Sequence, residues 1–146
     1  MKIPAHIAIS TVAGLTAYGL TKSETLTGSV FLSSLLIDID HVPDYILLSK
    51  ERLSIKNFLS WYNEKKWDRI YIILHSYEII AILVSIASLF RNDIIIGVAI
   101  GCALHLIADQ IGNMTFGLGK RLSPWFYFLS YRYCMEFMKN RMLVEG

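Results

Sequence analysis

The sequence predicts an all-α fold, a four-helix bundle embedded in a membrane. Hydrophobic residues make up 54% of the 146 positions and charged residues only 18%, a more apolar balance than soluble domains usually have. Four long apolar segments also follow one another along the chain, at residues 3–20, 26–39, 70–90 and 94–111. Each has the length and composition of a helix rather than a strand.

The chain is expected to form one domain over residues 1–146, with the bundle in residues 1–115 and a tail in 116–146. Residues 21–25 and 91–93 are short polar connections, suited to antiparallel helix hairpins. The third segment has about 21 residues, enough to cross a hydrocarbon core of ~30 Å at ~1.5 Å per residue. The second has only about 14, which keeps a soluble helical bundle open as an alternative.

The linker between the two hairpins carries one apolar face. Ile55, Phe58, Leu59 and Tyr62 follow helical spacing within residues 53–67, which predicts an amphipathic helix lying on the membrane surface or over the bundle. The tail mixes aromatic and basic residues from Ser123 onward. An interfacial C-terminal helix is predicted there.

Charge and cysteine content exclude other classes. The net charge is +2, and no basic stripe with interleaved aromatics is present, so nucleic acid is not an expected partner. Cys102 and Cys134 have no CxxC spacing, which favours free thiols. Residues 1–20 have features of a signal peptide, but Pro4 and His6 interrupt the apolar part, which favours a retained first helix.

Basic residues predict the orientation of the bundle. With both termini and the linker on one side, that side carries twelve Lys and Arg residues and the other carries two, Lys22 and Arg91. The positive-inside rule then places both termini in the cytoplasm. The twelve are Lys2, Lys50, Arg52, Lys56, Lys65, Lys66, Arg69, Lys120, Arg121, Arg132, Lys139 and Arg141. The expected location is the inner membrane, in contact with lipids.

All four histidines fall at the cytoplasmic ends of the predicted spans. His6 lies near the start of the first span, His75 about a turn and a half into the third, and His105 near the end of the fourth. His41 belongs to a cluster that ends the second span, with Asp38, Asp40 and Asp44. Charged groups at the end of an apolar helix cost free energy to bury unless they are paired or bind a ligand.

The spacing of these residues predicts metal ligation. His105 and Asp109 are four residues apart on a helix, and His75 and Glu78 are three apart, so each pair shares a face. Pro43 should end the second helix near Asp40 and leave Asp44 as the N-cap of the next element. The candidate ligands are His6, Asp40, His41, Asp44, His75, His105 and Asp109, a set that suits one or two divalent ions, zinc first and manganese or iron next.

Each candidate also has a structural interpretation. His6 or His75 alone is typical of a hydrogen-bonded interior histidine, and Asp44 alone is typical of a helix cap. Asp38 is expected behind the ligands or in a structural role. Glu78 and Asp38 are the candidates for orienting a water or acting as general base.

The chain resembles a family at these residues. LIDIDHVPD (36–44) stands in place of an LLPDIDH-like motif, LHS (74–76) in place of a THS-like motif, and HLIAD (105–109) in place of an SHxxxD-like motif, after the early His6. This ordered set is similar to that of the integral inner-membrane metal-dependent hydrolases and, more distantly, to zinc-dependent phospholipase C. Ile37 replaces the family's usual proline.

The resemblance implies a membrane-bound metal-dependent hydrolase. Its expected substrate is a phosphoester or ester of a lipid or another amphiphile, because the site lies at a membrane face. A metal-binding or transport protein with the same ligands, and a structural membrane protein with buried polar pairs, are the alternatives. The sequence gives no oligomeric state.

Overall fold

Helices dominate the chain, as the sequence predicted. A computed structural model describes residues 3–64, 66–115 and 121–144. Lys2, Lys65 and Lys120 of the charge argument lie outside the described residues, as does the start of the predicted tail at 116–120. The helices are α1 (Ile3–Thr21), α2 (Glu24–Leu36), α3 (His41–Leu48), α4 (Ile55–Asn63), α5 (Tyr77–Phe90), α6 (Asp93–Thr115), α7 (Leu129–Cys134) and α8 (Lys139–Met142).

Helix α2 packs between α1 and α6, and α5 lies against α6. The α2–α6 contact is very close. A Cβ atom added to Gly101 would lie 2.1 Å from Ser33 Oγ, and one added to Gly97 would lie 2.5 Å from Ser29 Cβ. Glycines four residues apart that face small residues are a typical packing pattern of membrane helices. The close approach brings the C-terminal ends of α2 and α6 into position for the site.

The second apolar segment does not end at a turn. Residues Ile37–Asp40 form a 3-10 helix that leads directly into α3. Pro43 falls in the first turn of α3. Backbone N–H groups in the first turn have no acceptor within the helix, so a proline, which lacks this group, is tolerated there. The prediction of Asp44 as an N-cap is therefore wrong, because Asp44 also lies within that first turn.

The third apolar segment is the largest departure from the predicted helices. Only its second part is helical, since α5 begins at Tyr77 and has 14 residues. Residues 70–76 are irregular, and Ile72 has a positive φ of 23°, a strained conformation for a β-branched residue. His75 therefore precedes the helix instead of lying within it.

The tail is broken into short pieces instead of one interfacial helix. A two-residue strand β1 (Arg121–Leu122) pairs antiparallel with β2 (Leu143–Val144), with Arg121 opposite Val144. Between them lie a 3-10 turn at Pro124–Tyr127 and the helices α7 and α8. Phe126, Tyr127 and Met142 are buried here, so the tail is part of the core rather than a surface attachment.

One helix of the described residues is long and apolar enough to cross a membrane. It covers Asp93–Met114, 22 residues of α6. Helix α5 is apolar but shorter. The all-α class is thus confirmed, while the number of membrane spans stays a prediction.

Candidate metal centre

The structure brings all four histidines together at one end of the helical bundle. They come from the start of α1, the start of α3, the irregular segment before α5 and the second half of α6. His6 and His105 stack with ring centroids 4.4 Å apart, and His41 and His75 lie 4.6 Å apart. Exposure of the four residues is between 1% and 6%.

Asp38 stands at the centre of this cluster. Its Oδ1 lies 3.5 Å from Nε2 of His41, 3.4 Å from Nε2 of His75 and 3.3 Å from Nε2 of His105. The expectation that Asp38 lies behind the ligands is corrected by this geometry. The reason is the 3-10 helix at 37–40, in which residues three apart eclipse, so that Asp38 and His41 point the same way.

Asp109 forms the other carboxylate of the cluster. Its Oδ1 lies 3.3 Å from Nε2 of His6, and its Oδ2 lies 3.7 Å from Nε2 of His105. One ligand atom each from Asp38, His75, His105 and Asp109 lies within 4.8 Å of the others. Asp38, with a side chain 38% exposed, is the accessible member, whereas Asp109 is buried.

These separations fit a metal site better than a set of hydrogen bonds. Ligands about 2.0–2.1 Å from a tetrahedral ion are separated from one another by about 3.3–3.4 Å. The three distances from Asp38 Oδ1 to the ring nitrogens, 3.3–3.5 Å, are of this size. Among the described residues, Nε2 of His41, His75 and His105 has no hydrogen-bond partner, although such buried groups are normally paired.

Neighbouring groups orient two of the rings. Nδ1 of His105 lies 2.7 Å from the carbonyl oxygen of Ser34, so it donates there and Nε2 is the ring nitrogen that faces the cluster. Nδ1 of His75 lies 3.5 Å from Oδ2 of Asp40. A carboxylate behind a ligating histidine is the usual arrangement in zinc sites.

Asp40 therefore supports the cluster from outside. Its Oδ2 also accepts from the backbone amides of Leu74 and His75, at 2.7 and 3.3 Å. Burial raises the pKa of Asp40, but the bonds from His75 and the two amides outweigh it and hold the pKa below its usual value. Asp40 is an anion that fixes both the ring and the backbone of His75.

Asp44 has a comparable structural task. Its Oδ2 accepts from the amides of Tyr71 and Ile72 at 2.6 and 3.1 Å. These two bonds hold the strained backbone at Ile72. Asp44 is not among the side chains gathered around Asp38, so its predicted place as a ligand is not supported by the geometry.

Glu78 also lies away from the cluster. Its two carboxylate oxygens accept from the amides of Leu129 and Ser130 at 2.9 Å, and Oε1 accepts from the Ser130 hydroxyl at 2.8 Å. The carboxylate thereby caps the N-terminus of α7, a favourable position for negative charge. Both carboxylate oxygens of Glu78 are thus engaged in hydrogen bonds to the tail, which differs from the general-base role predicted from the sequence.

Burial sets the protonation of His41. Desolvation lowers its pKa, against the opposing influence of Asp38. A neutral imidazole is the form that binds metal ions. Its ring packs on Tyr62 of the linker helix α4, with centroids 4.0 Å apart, so the amphipathic linker covers one side of the cluster.

Arg132 supports the site although the sequence analysis did not predict a role for it there. It is fully buried, and its guanidinium donates to the carbonyl oxygens of His75 at 3.0 Å, Ile72 at 2.9 Å and Phe126 at 3.2 Å. These bonds replace the helical ones that segment 70–76 lacks. Burial lowers the pKa of Arg132 to about 10, so it stays charged at neutral pH.

No protein-family model, curated protein or solved structure matches this chain. The site is therefore interpreted from its own geometry. Asp38, His75, His105 and Asp109, gathered at one end of the helical bundle with Asp38 accessible, form a group that could hold a metal ion.

Proposed function

We propose that this chain is a multi-pass inner-membrane protein that hydrolyses a phosphoester or ester of a lipid or another amphiphile with a divalent metal at its cytoplasmic face. The observation that carries the proposal is the convergence of three ring nitrogens on one oxygen of Asp38, at 3.3–3.5 Å. The motif resemblance to metal-dependent hydrolases supports the same assignment.

The membrane assignment rests on surface as well as sequence. Large apolar side chains are widely exposed on α1 and α5, including Leu20 at 81% and Leu89 at 79%. Apolar surface of this extent on a soluble monomer would favour association or membrane contact. The four-span arrangement, with both termini in the cytoplasm, agrees with the twelve-to-two asymmetry in basic residues.

Zinc is the metal that best suits the donor set. Asp38, His75, His105 and Asp109 would hold it, with His6 and His41 beside them. Bound there, zinc would supply the polarisation of an ester oxygen and lower the pKa of a bound water to ~7, which would make hydroxide available near neutral pH.

The chain's own residues supply the remaining requirements. Asp40 and the Ser34 carbonyl orient His75 and His105. Arg132 and Asp44 fix the segment that carries His75. The accessible side of Asp38 gives the substrate its route to the cluster, and Tyr62 shields the opposite face of His41.

Transport of the metal is the second candidate, and it would need a polar path through the bundle. The α2–α6 contact at Gly97 and Gly101 leaves no room even for a methyl group. No such path therefore runs through this contact.

Metal content is the first test. The full-length protein, purified in mild detergent, is expected to contain one or two zinc ions per chain by elemental analysis, and His105→Ala is expected to lose them while keeping its helical circular dichroism. Glu51→Ala, at an exposed position, is the matched control. A native chain free of bound metal would contradict both the enzyme and the transporter.

Hydrolysis is the second test. Zinc-loaded protein is expected to release product from a panel of phosphodiester and carboxylic ester lipids, and the His105→Ala variant is not. Zinc bound stoichiometrically, but without turnover of any lipid class, would favour the metal-binding alternative.

A further inference from the structure

His6 and Asp109 form a buried pair at the edge of the cluster. Nε2 of His6 lies 3.3 Å from Oδ1 of Asp109, and the two side chains are 6% and 3% exposed. A charge-assisted hydrogen bond between an imidazole and a carboxylate usually has an N···O distance of ~2.7–2.9 Å. The observed distance is longer and matches the ~3.3–3.4 Å that separates two ligands of one tetrahedral ion.

The ring of His6 is oriented so that it cannot share an ion with His105. The lone pair of an imidazole nitrogen lies in the plane of the ring, so a bound ion lies close to that plane. The rings of His6 and His105 are stacked, with centroids 4.4 Å apart and an interplanar angle of 15°. Such planes do not meet within the length of a metal–nitrogen bond, ~2.0–2.1 Å. The rings of His75 and His105 make an angle of 80°, which allows both to bind one ion.

Asp109 faces the two stacked histidines with different oxygens. Its Oδ1 lies 3.3 Å from Nε2 of His6, and its Oδ2 lies 3.7 Å from Nε2 of His105. His105 belongs to the group of four side chains that could hold an ion, whereas His6 does not. A carboxylate that presents one oxygen to each of two neighbouring ligands is suited to bridging a pair of metal ions.

We propose that the cluster is a two-ion centre bridged by Asp109. One ion is held by Asp38, His75, His105 and Oδ2 of Asp109. The second is held by His6 and Oδ1 of Asp109. The inference rests on the proposed hydrolase function and deepens it. Catalytic zinc commonly has three protein ligands and a water, so an ion with only two protein ligands keeps open positions for water and for an oxygen of the substrate.

Zinc stoichiometry tests the second site without requiring turnover. Metal-free full-length protein in mild detergent is saturated with zinc chloride, unbound zinc is removed, and bound zinc is measured by elemental analysis. The native chain is expected to hold about two ions and His6→Gln about one. Glutamine can still donate to Asp109 but is not among the usual zinc ligands. Thr11→Ala, at an exposed position on the same helix, is the matched control and should bind zinc like the native chain.

Manganese provides a second readout of the same arrangement. Two Mn²⁺ ions in a bridged site, about 3.5–4 Å apart, are magnetically coupled. Electron paramagnetic resonance of the manganese-loaded native chain is expected to show this coupling, and that of His6→Gln is expected to show an isolated ion. If circular dichroism shows that His6→Gln fails to fold, the zinc stoichiometry and the manganese spectrum of the native chain decide alone.

Three outcomes would overturn the inference. One is a native chain that binds a single zinc ion at saturation, and another is a pair of bound manganese ions without magnetic coupling. The third is a folded His6→Gln variant that still binds as much zinc as the native chain. Each of these leaves the proposed hydrolase in place with one ion, whereas a native chain that binds no metal removes the hydrolase itself.

Discussion

Asp38 and Asp40 are two residues apart and carry out different tasks. In a 3-10 helix, with three residues per turn, positions i and i+3 share a face and positions i and i+2 do not. Asp38 therefore joins His41 in the cluster, while Asp40 points to the backbone of Leu74 and His75. One carboxylate would contact the proposed ion, and the other holds a histidine in place.

Substitution of the two carboxylates separates these tasks. We expect Asp40→Asn to lower zinc affinity by roughly 10–100-fold, the usual cost of losing a supporting carboxylate. Asp38→Asn should lower it further, because a ligand is lost. Affinity would be measured by competition with a chelator, with Asp68→Asn at an exposed position as the control. Native affinity in Asp40→Asn would contradict the supporting role.

Arg132 shows that a residue far from the motifs can decide the site. Its guanidinium bonds to His75 and Ile72 from a tail that lies 57 and 60 residues further along the chain. Arginine suits this position because its planar group donates in several directions at once. Arg141, also in the tail, bonds to Glu136 at the surface instead.

Loss of this arginine should be costly. Arg132→Met leaves three buried carbonyl groups without their donor, and each such loss costs roughly 1–3 kcal/mol. We expect a large fall in the melting temperature and weaker zinc binding. Arg141→Met removes an exposed ion pair worth about 0–1 kcal/mol and should change neither. Equal stability of the two variants would show that Arg132 does not hold segment 70–76.

At the scale of helices, the contact between α2 and α6 positions the cluster. Asp38 follows the end of α2, and His105 and Asp109 lie in the second half of α6. Gly97 and Gly101 let the two backbones approach until no side chain fits between them. A shift of one helix would therefore move Asp38 away from His105.

A methyl group at this contact should loosen the bundle. Gly101→Ala places a Cβ 2.1 Å from Ser33 Oγ and 2.4 Å from the carbonyl oxygen of Val30, and overpacking of this kind typically costs about 1–3 kcal/mol. The matched control is Gly28→Ala, where nothing lies within 4 Å and the helix should gain slightly. Unfolding in mixed detergent micelles measures the difference. A neutral Gly101→Ala would contradict the close packing.

At the scale of the whole molecule, the chain gathers its polar groups at one end and exposes apolar side chains along the helices. His6, Asp38, His75 and Asp109 come from four separate parts of the sequence and meet at that end. The exposed apolar surface on α1 and α5 is a surface for lipid if the helices cross a membrane. Orientation is then the property to test.

Cysteine labelling decides the orientation. In a chain without its native cysteines, Lys56→Cys is expected to react with an impermeant maleimide from the cytoplasmic side only, and Lys22→Cys from the opposite side only. The expectation follows from the distribution of basic residues. Reaction of both positions from the same side would remove the four-span arrangement and restore the soluble bundle.

The sequence by itself determined the helical class and the meeting of the histidines. Long apolar segments locate α1, α2 and α6, and the helical spacing of apolar residues in the linker locates α4, because a local pattern specifies a helix when nothing opposes it. Helix hairpins of known connection length also place His6, Asp38, His75 and His105 at one end without any knowledge of packing.

Only the tertiary structure decided which carboxylates belong to the cluster and which bind the backbone. Segment 70–76 is apolar enough for a helix, yet Asp40, Asp44 and Arg132 pair with its backbone and hold it irregular. Those partners lie about 30 residues before it and about 60 after it, so no local pattern reveals them. Glu78 likewise bonds to the amides of Leu129 and Ser130, 51 and 52 residues further along the chain, and so lies at the tail. Asp38 lies in the cluster because the 3-10 helix at 37–40 turns it to the same side as His41.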